Sequence, residues 1–276
     1  MSTYIRCSSL SGYADCPRRA IANGHTKMVK NLGYDLNDYR SGVASVVGTS
    51  VHKGMEVALH HKKSTGEIIK VKECVDSAVS EFDEIIKKED SAMEYDSKTA
   101  NVDDAHTQIS RLSKAHHKFF LPDMEPQLIE ERFMVDLGDD FILSGQPDHV
   151  DQNGNIDDLK TGAVAKNAIG QLGGYAILCV SNGVEVGESL NIQGVPRSKK
   201  IIKPYSLSYN PKLAQLVAWE VINKIKSDFR KFNEDQKPSN FAANTSSMLC
   251  SDKYCRAYGT KFCPATFKNP TKRELL

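Results

Sequence analysis

Along the chain, apolar positions recur first with a helical period and later with a strand period, and that change organises the whole sequence. Val47, Val51, Met55, Ala58 and Leu59 mark one face of a helix over residues 42–62. Val71, Val75, Val79, Phe82, Ile85 and Ile86 do the same over 68–88, as do Val102, Ile109, Leu112 and Phe119 over 102–121. The polar stretch from Lys87 to Thr99 between those two helices reads as a loop. From residue 127 the period shortens. Runs at 127–136, 139–145, 147–151 and 155–160, divided by Gly, Asp and Asn, predict successive strands. A helix at 166–181, strands at 186–195 and 201–209, and a long helix from Pro211 through Phe232 follow. Residues 233–247 are polar and read as an extended linker to a cysteine-rich tail.

This order predicts an α/β fold with a central mixed sheet flanked by helices, not a doubly wound βαβ array. The 276 residues read as a single domain, with an N-terminal segment (1–41), a core (42–232) and a linker with tail (233–276). With 40% hydrophobic and 26% charged residues, the composition is that of a soluble protein able to build a core without disulfides. No apolar run is long enough to span a bilayer and no leader pattern opens the chain, so the expected location is cytoplasmic, without a membrane partner. A GxxxxGK[ST] loop and a GxGxxG fingerprint are both missing, so any DNA unwinding falls to another chain. The net charge of +1 does not by itself announce a nucleic-acid binder. Phosphate contacts must then come from local clusters such as Arg197, Lys199, Lys200 and Lys203, or Lys268, Lys272 and Arg273.

The chemistry concentrates in Gly145-Gln-Pro-Asp148-His-Val-Asp151, a turn around Asn153-Gly154, and Ile156-Asp-Asp158-Leu-Lys160-Thr-Gly162. Asn-Gly between strand-like runs signals a hairpin. Asp158 and Lys160 are two residues apart and share a face. Register decides whether Asp148 joins them. A two-residue turn pairs His149 with Asp158 and sends Asp148 to the other face, whereas a three-residue loop of Gln152-Asn153-Gly154 sets Asp148 opposite Asp158. Neighbouring carboxylates repel and invite a divalent cation, and Lys160 could orient a water or neutralise charge developing on a phosphodiester.

The ordered set Gly145-x-x-Asp148, Asp158-x-Lys160-Thr161-Gly162 and Gln171-Leu172-x-x-Tyr175 resembles the PD-(D/E)xK nuclease superfamily, particularly its RecB-like branch. Gly48-x-x-x-His52, with Glu56 one turn on, resembles that branch's upstream helix motif. The resemblance runs from Ser11 to Cys263 and implies a restriction-endonuclease-like fold. It also implies Mg2+ or Mn2+ held by His52, Asp148, Asp158 and the Leu159 carbonyl. Gln171 and Tyr175 would face the site and orient Lys160 or a phosphate. Glu130 and Glu131 are further acidic candidates, and which one points inward is open.

Seven cysteines, an odd number, argue against a disulfide framework. Cys250, Cys255 and Cys263 crowd the tail, and three thiols cannot complete a tetrahedral thiolate site. AddB-type recombination nucleases and the iron–sulfur CRISPR-associated nucleases join one N-terminal cysteine to three C-terminal ones around a four-iron four-sulfur cluster. That resemblance makes Cys16 the fourth ligand. The tail spacing is looser than the family's CxxC, which keeps zinc as the alternative. Such a site would close a loop of over two hundred residues, removing on the order of 5 kcal/mol of unfolded-chain entropy. Cys7, Cys74 and Cys179 read as free thiols, with Cys179 in the core.

The leading expectation is a metal-dependent deoxyribonuclease, an exonuclease by resemblance, acting on single-stranded or end-accessible DNA in recombination, repair or replication. A helicase or recombination protein would act in trans. Tyr205, Tyr254 and Tyr258 are aromatics that could stack on bases. The alternatives are an inactive DNA-binding or recombination-partner module of the same fold, and an unrelated α/β protein carrying a structural zinc site.

Overall fold

The structure is a computed structural model that describes residues 2–38, 42–89, 93–162, 168–198 and 203–266. The N-terminal segment forms strand β1 (Thr3–Arg6) and helices α1 (Cys7–Asp15), α2 (Pro17–Gly24) and α3 (Thr26–Asn31). The three predicted helices follow as α4 (Val43–Thr65), α5 (Val71–Glu89) and α6 (Val102–Phe119). Then come β2 (Pro126–Ile129), β3 (Phe133–Asp136), β4 (Phe141–Gly145), β5 (His149–Asp151) and β6 (Ile156–Lys160). The last elements are α7 (Ile169–Ser181), β7 (Leu190–Gly194), β8 (Tyr205–Tyr209) and α8 (Pro211–Asp235).

The expected α/β fold with mixed strands flanked by helices is found, and its strands are divided between two sheets. One has the order β1-β4-β3 and the other β2-β5-β6-β7-β8, each mixing parallel and antiparallel pairs. The run predicted as one strand over 127–136 breaks where Glu130 adopts a left-handed φ of 49°. Opposite, Pro147 lacks the N–H that a continuous ladder would need. The pairing keeps step across the gap, from Ile129↔His149 to Phe133↔Gly145. A single long hairpin therefore crosses from one sheet to the other with its ladder opened at 130–132 and 146–148. A bond from the Glu130 N–H to the Asp148 carbonyl (3.1 Å) holds the edge of the opening.

Helix α7 is the central strut. Leu172, Ala176, Ile177, Leu178 and Cys179 are buried, so it is apolar on nearly every side, as a helix enclosed by other elements must be. It lies against α1 and α8, and Gly173 lets it approach so closely that a Cβ there would sit 1.9 Å from the Ala214 carbonyl oxygen. Helices α4, α5 and α6 pack as a second layer with their own apolar clusters, and α4 touches β2.

Two further expectations change. The strand predicted from 186 starts only at Leu190, because Gly187 is spent on the hairpin turn, its N–H bonding the Gly154 carbonyl at 2.8 Å. Residues 233–247 are not a free linker. Helix α8 runs on to Asp235, Phe241 is fully buried against Phe229 and Phe232, and Arg18 Nε donates to the Phe241 carbonyl (2.9 Å). No helix among the described residues is long and apolar enough to cross a membrane.

Gly173→Ala should destabilise the protein by about 3 kcal/mol through overpacking. Gly170→Ala, on the same helix with its nearest neighbour 3.6 Å from the new Cβ, should be neutral or stabilising by up to about 1 kcal/mol. Urea-unfolding midpoints of the two variants check the contrast.

Candidate active site

The opening in the long hairpin gathers the ionisable groups. Its floor is set by the β5–β6 register, which pairs His149 with Asp157 and Val150 with Ile156. This is the odd-length loop: the Asp151 N–H bonds the Asn155 carbonyl (2.9 Å), and Gly154 takes φ +78°. Continued one step beyond His149, that register sets Asp148 opposite Asp158. Strand alternation then turns Asp157 to the other face. There its Oδ2 meets buried His149 Nδ1 at 2.8 Å and its Oδ1 accepts from Asn191 Nδ2 at 2.9 Å.

Each site carboxylate has its own partners. Asp158 Oδ2 faces Lys160 Nζ at 2.5 Å, while its Oδ1 accepts from Gln171 Nε2 at 3.0 Å. Gln171 also donates to the Tyr175 hydroxyl (2.9 Å), so both helix residues face the site, but through Asp158 and not through Lys160. Asp148 Oδ2 accepts from the Leu159 N–H (2.6 Å), and its Oδ1 lies 3.2 Å from His52 Nδ1. A strand residue's N–H and C=O point to the same edge, so the Leu159 carbonyl faces the edge that Asp148 occupies. His52 reaches the site because α4 passes close to the end of β6. A Cβ on Gly48, one turn earlier, would lie 3.1 Å from Thr161 Oγ1.

The left-handed backbone at Glu130 settles which acid turns inward. Its Oε1 is 4.0 Å from His52 Nδ1 and its Oε2 accepts from Gln146 Nε2 (2.7 Å), whereas Glu131 is exposed. Among the described residues, His52, Glu130 and Asp148 form a group of possible ligands with one atom from each within 4.8 Å of the others. Sequence reasoning missed Gln146 as the brace for Glu130, although it stands in the Gly145–Asp148 motif. It also missed His116, wholly buried on α6, whose charged form is disfavoured by burial and by His52 to a pKa of about 3. Nothing in the α6 pattern separates that histidine from an ordinary helix residue.

Crowding perturbs every group. Burial and the neighbouring Asp148 push the Asp158 carboxyl up to about 6. Burial and Asp148 likewise raise Glu130 to about 7. Burial also opposes the charge on Asp148, but His52 and Lys160 outweigh it and hold that carboxyl below its ordinary range. For His52, burial is outweighed by Asp148, and the imidazole is raised to about 9.

The four cysteines expected to act together, Cys16, Cys250, Cys255 and Cys263, line one small cavity with Arg19 and Asn244. No three of them fall within 4.8 Å of one another as a set. Burial raises the Cys255 thiol to about 11, and Cys250 is raised for the same reason. Cys7, Cys74 and Cys179 are buried free thiols. Of the basic clusters, Arg197 is taken up by Asp96 Oδ2 (2.7 Å) and Thr99 Oγ1 (3.0 Å), and Lys203 is exposed. Lys199, Lys200, Lys268, Lys272 and Arg273 lie outside the described residues. Tyr205 packs over Gly194, Tyr258 packs on the core, and Tyr254 is exposed with Lys253 Nζ 5.6 Å from its ring centre.

A broken hairpin thus presents an aspartate beside an acid-x-lysine strand and a glutamine–tyrosine helix. The family description "PD-(D/E)XK nuclease superfamily" matches residues 6–257, and the chain belongs to that superfamily as a nuclease. No curated protein matches the chain in sequence. Among solved structures, it is similar to one named "Putative exonuclease" from Eubacterium rectale, with 13% identity and a TM-score of 0.54 over 90% of this chain and 86% of that one. A second similarity, to SSO0001, covers 72% of this chain and 82% of that one at 13% identity, with a TM-score of 0.27.

The raised His52 value has a thermodynamic consequence in metal-free protein. The native state holds a proton that the unfolded imidazole releases above its ordinary value of 6.5. The associated stability is complete below that pH and is lost as pH rises toward 9. The melting temperature in chelator should therefore fall by a few degrees between pH 6.5 and about 8. His52→Gln should flatten that dependence, and an unchanged slope would remove His52 as its source.

Proposed function

We propose that the protein is a Mg2+- or Mn2+-dependent deoxyribonuclease with exonuclease action on single-stranded or end-accessible DNA. The observation that carries this reading is the meeting of His52, Glu130 and Asp148 beside the Asp158–Lys160 pair. The donor set fits a divalent cation: carboxylate oxygens suit magnesium or manganese, and an imidazole admits manganese in particular. His52, Glu130 and Asp148 would hold it, with Asp158 and the Leu159 carbonyl at its edge. When bound, such an ion lowers the pKa of a water and neutralises charge on a phosphodiester.

The chain's own residues supply the rest. Lys160 presents an ammonium beside Asp158, where it can hold the attacking water and offset charge on the phosphorus oxygens. Gln171, bonded to both Asp158 and Tyr175, fixes the carboxylate that Lys160 leans on. The Leu159 N–H fixes the Asp148 rotamer in the same way. A DNA strand, and a helicase or recombination protein acting in trans, are the partners this reading implies.

The reading extends to the cysteine cavity as an iron–sulfur site. Its support is the convergence of one N-terminal and three C-terminal thiols on one small cavity. Anaerobic purification should give a brown protein whose colour is lost in Cys16→Ser. A colourless protein with stoichiometric zinc would replace iron by zinc in this reading.

For the nuclease site, end-labelled and circular DNA are incubated with and without Mn2+ or Mg2+. Cleavage should require the metal, favour open ends, and fall about a hundredfold or more in Asp158→Asn and Lys160→Met. Asp158→Asn should not lower the melting temperature in chelator, because it relieves the repulsion from Asp148. Parent-level cleavage by both variants would sink the assignment.

A further inference from the structure

Beside the metal-ligand group, on the smaller sheet, lies a polar cavity of about 280 Å³. Arg6, Ser8, Arg132, Ser144 and Gln146 line it, with Tyr175 as one wall. Three elements build it. Arg6 ends β1 and sits in register with Ser144 of β4, and Arg132 stands at the opened ladder, its Nη2 3.3 Å from Gln146 Oε1. Gly145 lets the wall close: a Cβ there would strike Cys7 Sγ at 2.8 Å and the Tyr175 ring at 3.0 Å.

Two features give the cavity a chemistry. No acidic residue lines it, although the chain as a whole is nearly neutral. Neither guanidinium is paired with a carboxylate among the described residues, and the Arg132 bond to a neutral amide is long. Two arginines without a carboxylate partner among the described residues, together with two serines on the same lining, offer a site for a phosphate oxyanion, which arginine binds in a forked geometry. Arg6 also lines the neighbouring cavity, where burial and the Arg6 charge lower the His25 pKa. A third feature gives it a role. Gln146 lines the cavity and also braces Glu130, while Tyr175 lines it and also bonds the Gln171 that holds Asp158. The cavity is thus linked to the candidate active site through Gln146 on the Glu130 side and Tyr175 on the Asp158 side.

We propose that this cavity binds a phosphate group of the nucleic-acid strand adjacent to the one being cut, through Arg6 and Arg132. This deepens the nuclease reading and rests on it. A phosphate held there fixes how far the strand enters, so the site acts in substrate placement. The phosphate can come from inside the strand or from its terminus, and the same test distinguishes the two.

The full chain is titrated into fluorescent single-stranded oligonucleotides with chelator present, so that no cutting occurs. Binding is followed at several salt concentrations, for strands ending in 5′-phosphate or 5′-hydroxyl. Arg6→Gln with Arg132→Gln should lower the slope of log affinity against log salt by about 0.7, one phosphate contact on a single strand, and each single variant should lower it by part of that. The double variant should bind about tenfold more weakly at low salt. Arg6→Lys with Arg132→Lys should keep most of the slope, which excludes a folding defect at these positions. A loss seen equally with both strand ends assigns an internal phosphate, and a loss confined to the phosphorylated strand assigns the terminal one. If the parent binds and cuts DNA but the double variant keeps the parental slope, the phosphate site alone is overturned. If the parent neither binds nor cuts, the nuclease reading falls and takes the site with it.

Discussion

Asp148 and Asp158 stand opposite each other on a floor that water hardly reaches, and most of the surrounding structure answers the repulsion between them. Desolvation and like charge both act against ionising such a pair. The fold offsets this by giving each acid a separate cation, His52 from α4 for Asp148 and Lys160 from β6 itself for Asp158. Glu130 adds a third carboxylate with no cation of its own, and its carboxyl is accordingly raised to about 7. Three carboxylates and one ammonium carry a net charge of −2 when His52 is neutral. A divalent ion is the smallest addition that would balance that charge. The same arithmetic explains the raised imidazole: a proton on His52 is the best substitute the isolated chain has.

This balance depends on an opened ladder. Had β2–β3 and β4–β5 stayed paired throughout, Glu130 and Asp148 would sit in ordinary strand positions with their backbone groups consumed by the hairpin. Glu130 instead takes a left-handed conformation, uncommon for any residue but glycine, asparagine or aspartate. Its backbone bond to Asp148 is kept while its side chain swings toward His52. Some strain of this kind is expected where geometry serves chemistry.

That distinction also explains what the sequence could reveal. Helices α4 to α6 and α8 were legible because each buries a single stripe at helical spacing. The hairpin turn was legible because Asn153-Gly154 restricts it to two registers, and the one with Gly154 left-handed is found. The division into two sheets was not, since a left-handed glutamate has no signature in a run such as Ile129-Glu-Glu-Arg-Phe133. For the same reason Glu130 and Glu131 could not be told apart. The tail escaped differently. Its polar composition suggested a linker, yet one buried phenylalanine and the carbonyl bonds from Arg18 are enough to dock it. Isolated anchors leave no period to detect.

Adjacent residues Asp157 and Asp158 show how one strand can serve two ends. Period-two alternation puts them on opposite faces, so the same backbone segment carries a structural acid and a candidate reactive one. Asp157, held by His149 and Asn191, ties β5, β6 and β7 together from behind. Those are the strands whose spacing sets the separation of Asp148, Asp158 and Lys160 in front. The proposed cation site would tolerate little drift in its candidate ligands, and precise placement needs a rigid support behind it. Here the support is a buried hydrogen-bonded network one residue away in sequence and on the far side of the sheet. Loss of that rear network would therefore loosen the front site without removing any of its ligands.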